Sequence, residues 1–465
     1  MTVLRNALVF ILTLFLASNL VLAGENIVYT KVTFPEYKTF ELSNGIKALT
    51  MLWNGGNLGT IEVKLPAGSA TDPKGKEGLA YLASKLLALG TKRHTGMEVI
   101  KRLEELGATF HTSVDRDAFN ISLSTIAPSM DETMGLFKEI IQEPVFSQDN
   151  FERQKQVQLT ELAYNMANPS WVAKSSFYRL FYEGHPYAHS FIGTKEGINS
   201  LTAEDVQQFY YSYLKASCDV VVVEVAPRPL EDQEDIIRRV FEDWGKRQPA
   251  HISNELQEFK PGPSRFFIVP YPDSNQAQIV LGHEGIRINN PDRFKISVMN
   301  YILGGGAFSS RLFEKVRIEK GLTYSIRSGF DPYKEKGPFV ISTFTRTSEA
   351  ANVISLVKSE IASLKENSAT DSELDDAKSY LILSYPLAIQ TSSSVAARFS
   401  DYLFYGLSLG DMLNYQDKIY EVTKDDTFAM AKEYLYPDRL NGVVVGNQDV
   451  LKEILYSLNP KIMDE

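Results

Sequence analysis

Three polar side chains on one predicted helix have the spacing of a metal site but lack its ligands. Residues 78–91 read GLAYLASKLLALGT, and Tyr81, Ser84 and Lys85 fall at positions i, i+3 and i+4 of one helical face. The H-x-x-E-H zinc motif places two imidazoles and a water-activating carboxylate at this spacing. A phenol, a hydroxyl and an ammonium cannot replace them, because a charged lysine has no lone pair to donate. The spacing predicts a zinc-site helix that cannot hold zinc.

A glycine-rich segment opens the second group of candidate residues. Residues 304–326 read GGGAFSSRLFEKVRIEKGLTYSI and lack the Lys-Ser/Thr pair that a phosphate-binding loop needs. The glycines more plausibly allow a close backbone approach, either by a neighbouring element or by an extended peptide.

An arginine and a tyrosine follow in the same segment, seven residues apart. The guanidinium of Arg317 can donate two hydrogen bonds to a peptide carbonyl or a carboxylate. The phenol of Tyr324 can donate to an oxyanion that develops at a scissile carbonyl. From the spacing alone, Arg317 could equally form a structural salt bridge and Tyr324 could equally place its hydroxyl in the core.

Four segments resemble the pitrilysin/insulinase family of zinc metallopeptidases, in its two-domain, processing-peptidase-like branch. They are the degenerate helix at 78–91, FERQKQVQLTELAYN at 151–165, FYEGHPYAH at 181–189 and the segment at 304–326. The resemblance covers nearly the whole mature chain, and its last segment is the most specific.

The resemblance implies a role for each matching position. Glu161 matches the third zinc ligand, beside the three degenerate positions on the first helix. Arg317 and Tyr324 match the pair that binds the substrate backbone and stabilises the transition state. The expected substrate-binding residues are Gly304, Gly305, Gly306, Phe308, Ser309, Arg317 and Tyr324. The zinc half of the site is lost and the substrate-binding half is retained.

Glu161 then needs a partner. In the family register its carboxylate points at the former zinc position, where a buried, unpaired charge is costly. We hypothesise that Lys85, or solvent, replaces the metal charge next to Glu161. The alternative is an ordinary surface glutamate.

Other reactive side chains offer no second site. His185 and His189 lie in H-P-Y-A-H, but Pro186 and the missing glutamate favour a structural turn over a zinc site. No Ser/His/Asp or Cys/His constellation is visible. Cys218 is the only cysteine and is expected to be buried and inert. We expect no metal and no other cofactor in this chain.

The N-terminus has the features of a cleaved export signal. Arg5 precedes an apolar stretch, and Val21-Leu22-Ala23 fits the cleavage rule, which gives a mature start at Gly24. The apolar run is short for a spanning helix, although a retained anchor is the alternative. The residue directly after the cleavage site is Gly24 and not a cysteine, so a lipoprotein is not expected. We expect an exported, periplasmic protein.

Charge and composition narrow the class of partner. The formal net charge is −10 at pH 7, and no basic run is present, which argues against nucleic-acid binding. No later segment is apolar and long enough to span a bilayer.

The sequence indicates a duplicated fold. Residues 202–225 and 423–446 align without a gap at an offset of 221, each with a Thr/Asp capping pattern, an amphipathic helix and a valine-rich strand. A second match, at an offset of 217, pairs 61-IEVKLPAG with 278-QIVLGHEG. Predicted helices, interspersed with hairpins without a βαβ rhythm, favour an α+β fold; they cover 96–106, 130–142, 149–165, 349–365 and 371–384.

A polar segment with prolines, KRQPAHISNELQEFKPGPS at 246–264, predicts a linker. The expected domains are a signal peptide at 1–23, an N-terminal degenerate zinc-site domain at 24–245 and a C-terminal Arg/Tyr domain at 265–465. The resemblance implies two homologous α/β sandwiches, each a mostly antiparallel sheet with packed helices, facing each other around a cleft.

The implied function is that of a non-catalytic subunit in a heteromeric metallopeptidase. A homologous partner would carry H-x-x-E-H and zinc, in a heterodimer or larger assembly. This chain would supply Arg317 and Tyr324 to an extended peptide substrate, bound partly by strand addition. The alternative is a peptide-binding or scaffold protein without proteolytic role. A metal site rebuilt from Glu161 and the histidines is a third, disfavoured possibility, because no two of them have good ligand spacing.

Overall fold

The computed structural model describes residues 27–217, 219–245, 258–260, 262–272 and 274–463. The predicted signal peptide, Cys218 and most of the predicted linker lie outside these residues. Within them, no helix combines the length and apolar character that crossing a bilayer requires.

Two mixed sheets form the frame of the protein. The strands of the first are β1 (Tyr37–Glu41), β2 (Lys47–Leu52), β3 (Leu58–Leu65), β4 (Thr109–Val114), β5 (Phe119–Ile126) and β6 (Val221–Ala226). The strands of the second are β7 (Phe266–Pro270), β8 (Gln276–Glu284), β9 (Ile326–Phe330), β10 (Pro338–Arg346), β11 (Asn441–Gly446) and β12 (Lys461–Ile462). The spatial orders are β1-β2-β6-β3-β5-β4 and β12-β7-β11-β8-β10-β9.

The strand orders confirm the duplication. Strands β2, β6, β3, β5 and β4 correspond in order to β7, β11, β8, β10 and β9. The central pairs β2–β6 and β7–β11 are both parallel, and the pairs that follow in each sheet are antiparallel. The predicted α+β class, with two homologous halves, is therefore confirmed.

The repeat alignment is nevertheless wrong by one residue in the strands. The capping boxes at Thr202 and Thr423 form as predicted, at an offset of 221. Strands β6 and β11, however, begin at an offset of 220. The first half contains a π-helical turn, Tyr210–Leu214, where the second half has a regular helix, and a wider turn takes up one extra residue.

A one-residue slip matters because strand side chains alternate between faces. At an offset of 221, Val222 would correspond to Val443, yet Val222 faces the helices of its own half and Val443 faces the opposite side. The second match is also wrong by one residue. Val225 pairs with Thr60 and the equivalent Val445 pairs with Gln278, so Thr60 and Gln278 correspond at an offset of 218 instead of the predicted 217.

The helices lie largely where the periodicity predicts them. Those of the first half are α1 (Leu79–Leu86), α2 (Gly96–Glu105), α3 (Met130–Gln142), α4 (Gln148–Met166), α5 (Pro169–Phe181), α6 (Lys195–Ser200), α7 (Ala203–Phe209) and α8 (Leu230–Phe241). Those of the second half are α9 (Arg293–Asn300), α10 (Arg311–Phe313), α11 (Ala350–Glu366), α12 (Asp371–Ser384), α13 (Ser392–Phe404), α14 (Leu409–Leu413), α15 (Tyr415–Tyr420), α16 (Lys424–Tyr434) and α17 (Gln448–Ile454).

The two halves exchange one helix each. Helix α5 of the first half packs on β8 and β11, where Phe177 meets Val280 and Val443. Helix α13 of the second half packs on β3 and β6, and its Phe399 joins a cluster with Val223. Each sheet is thus covered on one face by its own helices and on the other by a borrowed helix. Burial of apolar area on both exchanged helices holds the halves together.

A polar cluster also joins the two halves, between the equivalent β4–β5 and β9–β10 turns. Asp117, in the β4–β5 turn, accepts hydrogen bonds from the backbone N–H of Lys334 (2.9 Å) and the hydroxyl of Tyr405 (3.2 Å). Arg116 donates to the hydroxyl of Tyr333 (3.1 Å). Charged groups so enclosed fix the relative position of the halves, because separating them would leave buried polar atoms unpaired.

Glu224, in the central strand β6, is a buried acidic residue whose carboxyl group makes no hydrogen bond. Its side chain is fully buried and neither carboxylate oxygen has a hydrogen-bond partner. Burial raises the pKa of Glu224 to about 8, against a smaller lowering by Arg228. The carboxyl therefore stays protonated in the folded protein at pH values where the unfolded chain has ionised it.

We expect Glu224→Met to stabilise the protein, by about 1–3 kcal/mol at pH 8. Because the folded pKa is raised, wild-type stability falls as pH rises from about 5 to 8, and the variant escapes this loss. Urea unfolding at pH 5 and pH 8 measures the difference. Glu41→Met, at an exposed strand position, is the matched control. An equal gain at both pH values would contradict the assignment.

Candidate functional site

Helix α1 carries the former metal positions, and its N-terminus is fixed by a glycine and by two side chains that hydrogen-bond to its backbone. Gly78 has φ 107°, and a Cβ there would lie 2.6 Å from a neighbouring carbonyl oxygen, so only glycine fits. The Asp72 carboxylate accepts from the N–H groups of Gly78 (2.7 Å) and Ala80 (2.8 Å). From helix α4, the Gln158 amide donates to the Gly78 carbonyl (3.1 Å). This tie, three residues before Glu161, aims Glu161 at α1.

Tyr81 is the partner of Glu161. Its phenol hydroxyl lies 2.8 and 3.0 Å from the two carboxylate oxygens. Tyr81 is only 7% exposed, and burial, followed by the hydrogen bond and charge of Glu161, raises the pKa of Tyr81 well above its usual range. The phenol therefore remains a protonated donor at physiological pH, and a neutral group satisfies the carboxylate without a metal.

Lys85 does not take the metal's place. Its ammonium lies 4.7 Å from the centroid of the Tyr81 ring, its side chain is exposed, and no ion pair joins it to Glu161 within the described residues. The hypothesised Lys85–Glu161 pair is wrong. A strongly hydrated ammonium keeps its water and covers the ring face.

Ser84 is absorbed into the packing. Its side chain is buried and donates to the Tyr81 carbonyl (2.7 Å), while the Ser84 carbonyl accepts from the hydroxyl of Thr112 on strand β4 (2.8 Å). In the part of the chain that the structure describes, no cluster of three His, Cys, Asp or Glu side chains could hold a metal ion. The former metal site is chemically closed.

Arg317 lies in a π-helical turn, Glu314–Glu319, against two aromatic rings. Its guanidinium carbon is 4.7 Å from the centroid of Phe313 and 5.5 Å from that of Phe308, and the two rings meet edge-on at 4.8 Å. Cation–π contact orients the guanidinium without using its hydrogen-bond donors. Those donors are available to a bound group.

Tyr324 stands on the surface just before the edge strand β9. It is 75% exposed, and within the described residues its hydroxyl has no hydrogen-bond partner. Within the described residues strand β9 pairs only with β10, so no strand covers its outer edge, although the Ser328 carbonyl on β9 accepts a hydrogen bond from the Asn300 amide (3.2 Å). Strand β4 is the equivalent open edge of the first sheet.

The glycine segment is shaped by neighbouring elements. A Cβ on Gly304 would lie 2.5 Å from the hydroxyl of Ser328 on β9, and one on Gly306 would lie 2.6 Å from the Tyr301 ring. Gly305 is exposed between them. At Gly304 and Gly306 the close backbone approach is therefore made by neighbouring elements of the chain and not by an extended peptide.

The segment then turns sharply at Ala307, whose φ is 45°. This turn presents Phe308, which is 73% exposed, beside Arg317. Ser309 is also exposed, and its side chain hydrogen-bonds to Tyr301. The structure thus groups Phe308 with Arg317. No hydrogen bond, ion pair or ring contact of the described residues links this group to Tyr81, Ser84, Lys85 or Glu161.

The histidine segment is a turn, as expected. Pro186–Ala188 form a 3-10 helix whose N-cap, His185, accepts a hydrogen bond from the backbone N–H of Tyr187 (3.1 Å). His189 contacts the carbonyl of Ser190 through Nδ1 (2.9 Å).

Sequence reasoning missed Asp72, Gln158 and the role of the Tyr81 phenol. The first two lie six residues before Gly78 and three residues before Glu161, and their contacts join segments that are distant in sequence. The chemical signal for Tyr81 was present, since a phenol can donate to a carboxylate and remain neutral.

Comparisons with known proteins agree with this geometry. Residues 55–195 match the family described as Insulinase (Peptidase family M16), and residues 200–381 match Peptidase M16 inactive domain. A crystal structure of a peptidase M16 inactive domain from Pseudomonas fluorescens shares 27% identity and a TM-score of 0.83, over 88% of this chain and 98% of that one.

Two relatives from Helicobacter pylori bear different names. One, called a non-peptidase homolog, is 26% identical over 84% of this chain and 89% of the relative. The other, called a zinc protease, is 22% identical over 86% of this chain and 90% of the relative. The matched segments and the shared fold together show that this chain belongs to peptidase family M16, the insulinase family, with Tyr81, Ser84 and Lys85 at the H-x-x-E-H positions.

Proposed function

We propose that this chain is a non-catalytic, zinc-less subunit of a heteromeric M16 peptidase. One contrast carries the proposal: Tyr81 closes the metal position from within, whereas Tyr324 is exposed and has no partner in the described chain. An exposed hydroxyl without a partner in the described chain suits a ligand that comes from outside. Arg317, seven residues earlier in the sequence, makes no side-chain hydrogen bond or ion pair within the described residues and suits such a ligand too. The name of the similar non-peptidase homolog supports the non-catalytic part.

In the proposed complex a homologous partner chain holds zinc and the water-activating glutamate. Arg317 donates hydrogen bonds to the backbone of the bound peptide, and Tyr324 donates to the oxygen that gains negative charge as water attacks the scissile carbonyl. Phe308 and Phe313 hold the guanidinium in place. The open edge of β9 offers backbone donors and acceptors to an extended substrate.

The compactness of the chain favours a site shared with a second chain. The exchanged helices and the Asp117 cluster fix the two halves against each other, and no contact of the described residues links Arg317 or Tyr324 to the closed metal position. Helicobacter pylori supplies both a non-peptidase homolog and a zinc protease among the relatives, so both kinds of chain occur in one organism. Because the N-terminal sequence predicts a cleaved export signal, we propose that the complex acts in the periplasm.

Reconstitution tests the proposal. The tagged mature protein is recovered from its native compartment, and co-purified chains are identified by mass spectrometry. We expect a stoichiometric chain of similar size with an intact H-x-x-E-H motif, about one zinc per pair, and peptide cleavage by the pair but by neither chain alone. If the pair forms but the partner chain alone cleaves peptides as well as the pair does, a scaffold role is the better account.

A further inference from the structure

The second half contains a pocket beside the open edge of β9. Its volume is about 320 Å³, in the size range of ligand sites. Its walls come from helix α9 with the π-helical turn Tyr301–Gly305, from the end of β9, and from helix α12. Mainly apolar and aromatic side chains line it, including Ile296, Tyr301, Phe330, Tyr380 and Leu381.

By the duplication, this pocket is the counterpart of the former metal site. Helix α9 corresponds to α1, strand β9 to β4, and α12 to α4, because each of these last two is the second helix after its strand β10 or β5. Equivalent strand residues mark the same position: Thr112 donates to the Ser84 carbonyl of α1, and Ser328 donates to the Asn300 side chain of α9 (both 2.8 Å). The Tyr81–Glu161 pair fills this place in the first half. In the second half it is open.

The pocket wall selects a neutral occupant. The one charged residue among its lining residues, Arg293, is paired with Asp411 at 2.6 Å and is mostly buried. Burying a charged side chain beside this satisfied pair would leave that charge uncompensated. An apolar or aromatic side chain pays no such cost and gains contact with three aromatic rings.

The neighbouring strand edge selects an extended polypeptide. No strand of the described residues pairs with the outer edge of β9, although the Ser328 carbonyl on β9 accepts a hydrogen bond from the Asn300 amide (3.2 Å). Gly329 also lines the pocket and has open space where a Cβ would stand. In a strand added to β9, side chains alternate between the two faces, so every second one points to the helix side where the pocket lies.

We propose that this pocket is a specificity site that receives one large, neutral apolar or aromatic side chain of the extended substrate. The assignment rests on the proposed function, because Tyr324 leads directly into β9 and one peptide can reach both. Gly329 lies five positions after Tyr324, a span of at most about 17 Å in extended chain. The selected side chain therefore lies about five residues from the scissile bond.

A pocket-filling variant tests the assignment in the reconstituted complex. Ser297 lines the pocket, and Ser297→Phe fills it, whereas Ser297→Ala leaves it open. Peptides carry Phe, Gly or Asp singly at positions three to seven from the cleaved bond. We expect kcat/KM to favour Phe over Gly by about 10-fold at one position near five in wild type and Ser297→Ala, and Ser297→Phe to abolish that preference.

Failure of the pocket and failure of the proposed function give different results. An active complex without a positional preference, or with one that Ser297→Phe leaves intact, overturns the pocket alone. Loss of partner co-purification by Ser297→Phe, without a peptide preference, also overturns it and makes the pocket a subunit contact. If no pair cleaves peptides, fluorescence anisotropy with the isolated chain decides: about 10-fold tighter binding of the Phe peptide to wild type than to Ser297→Phe supports the pocket, and equal binding overturns it.

Discussion

Tyr324→Phe is expected to lower kcat of the assembled peptidase by about 10²-fold, with little change in KM, because one donor to the developing oxyanion is lost. The hydroxyl is exposed and unpartnered within the described chain, so its removal costs the fold nothing measurable. The measurement is steady-state cleavage of one peptide by the reconstituted pair, with both chains at saturating concentration.

Two further variants make this result specific. Tyr456→Phe removes a hydroxyl from a tyrosine that is 84% exposed elsewhere, and should leave kcat unchanged. Arg317→Ala should raise KM as well as lower kcat, since backbone binding exists before the transition state. If Tyr324→Phe behaves like Tyr456→Phe, the retained pair has no part in the chemistry and a peptide-binding role without catalysis is preferred.

The packing of the two halves explains why such a chain would need a second one. In each sheet the inner face meets a helix from the other half, and Asp117 ties two equivalent turns together. Rigid halves cannot close on a substrate by moving against each other without unpairing those groups. In the proposed complex, a surface of the partner chain would complete the peptide cleft, beside the exposed Tyr324 and the edge strand β9.

Much of the fold could be predicted because helical signals are local. The Thr/Asp capping boxes and the apolar periodicity of α2 and α3 depend on residues three or four apart. Strand register depends on the count of residues between elements, and one π-helical turn changes that count. The exchange of α5 and α13 has no local signal at all, because an amphipathic helix does not encode which sheet will cover it.

At the candidate site, too, the sequence shows which residue types are present but not which side chains contact each other. Loss of the zinc ligands could be read directly from Tyr81, Ser84 and Lys85, since none can coordinate as imidazole or carboxylate does. The sequence could not show whether Tyr81 or Lys85 is the partner of Glu161, because these two residues lie one turn apart on the same helix face. Desolvation decides it: the neutral phenol is cheaper to bury than the ammonium, which stays in solvent.

The closed metal site should reopen when its ligands are returned. Because Glu161 already reaches the side chain at position 81, Tyr81→His together with Lys85→His is expected to create a three-ligand zinc site with about one zinc per chain, where wild type binds none there. At a free zinc concentration 100 times Kd, the folded state gains about 2.7 kcal/mol. Zinc content by atomic absorption after dialysis, and the zinc-dependent shift in Tm, measure the two effects.

Adding Ser84→Glu separates metal binding from catalysis. Ser84 is 2% exposed, so a glutamate there should destabilise the zinc-free protein by about 1–3 kcal/mol and be compensated only when zinc is bound. Glu161→Ala in the same background removes the third ligand and should weaken zinc binding by about 10²-fold or more. If the double-histidine variant takes up no more zinc than wild type, helices α1 and α4 have moved apart since the ligands were lost, and Tyr81 then holds a site that has changed in shape as well as in chemistry.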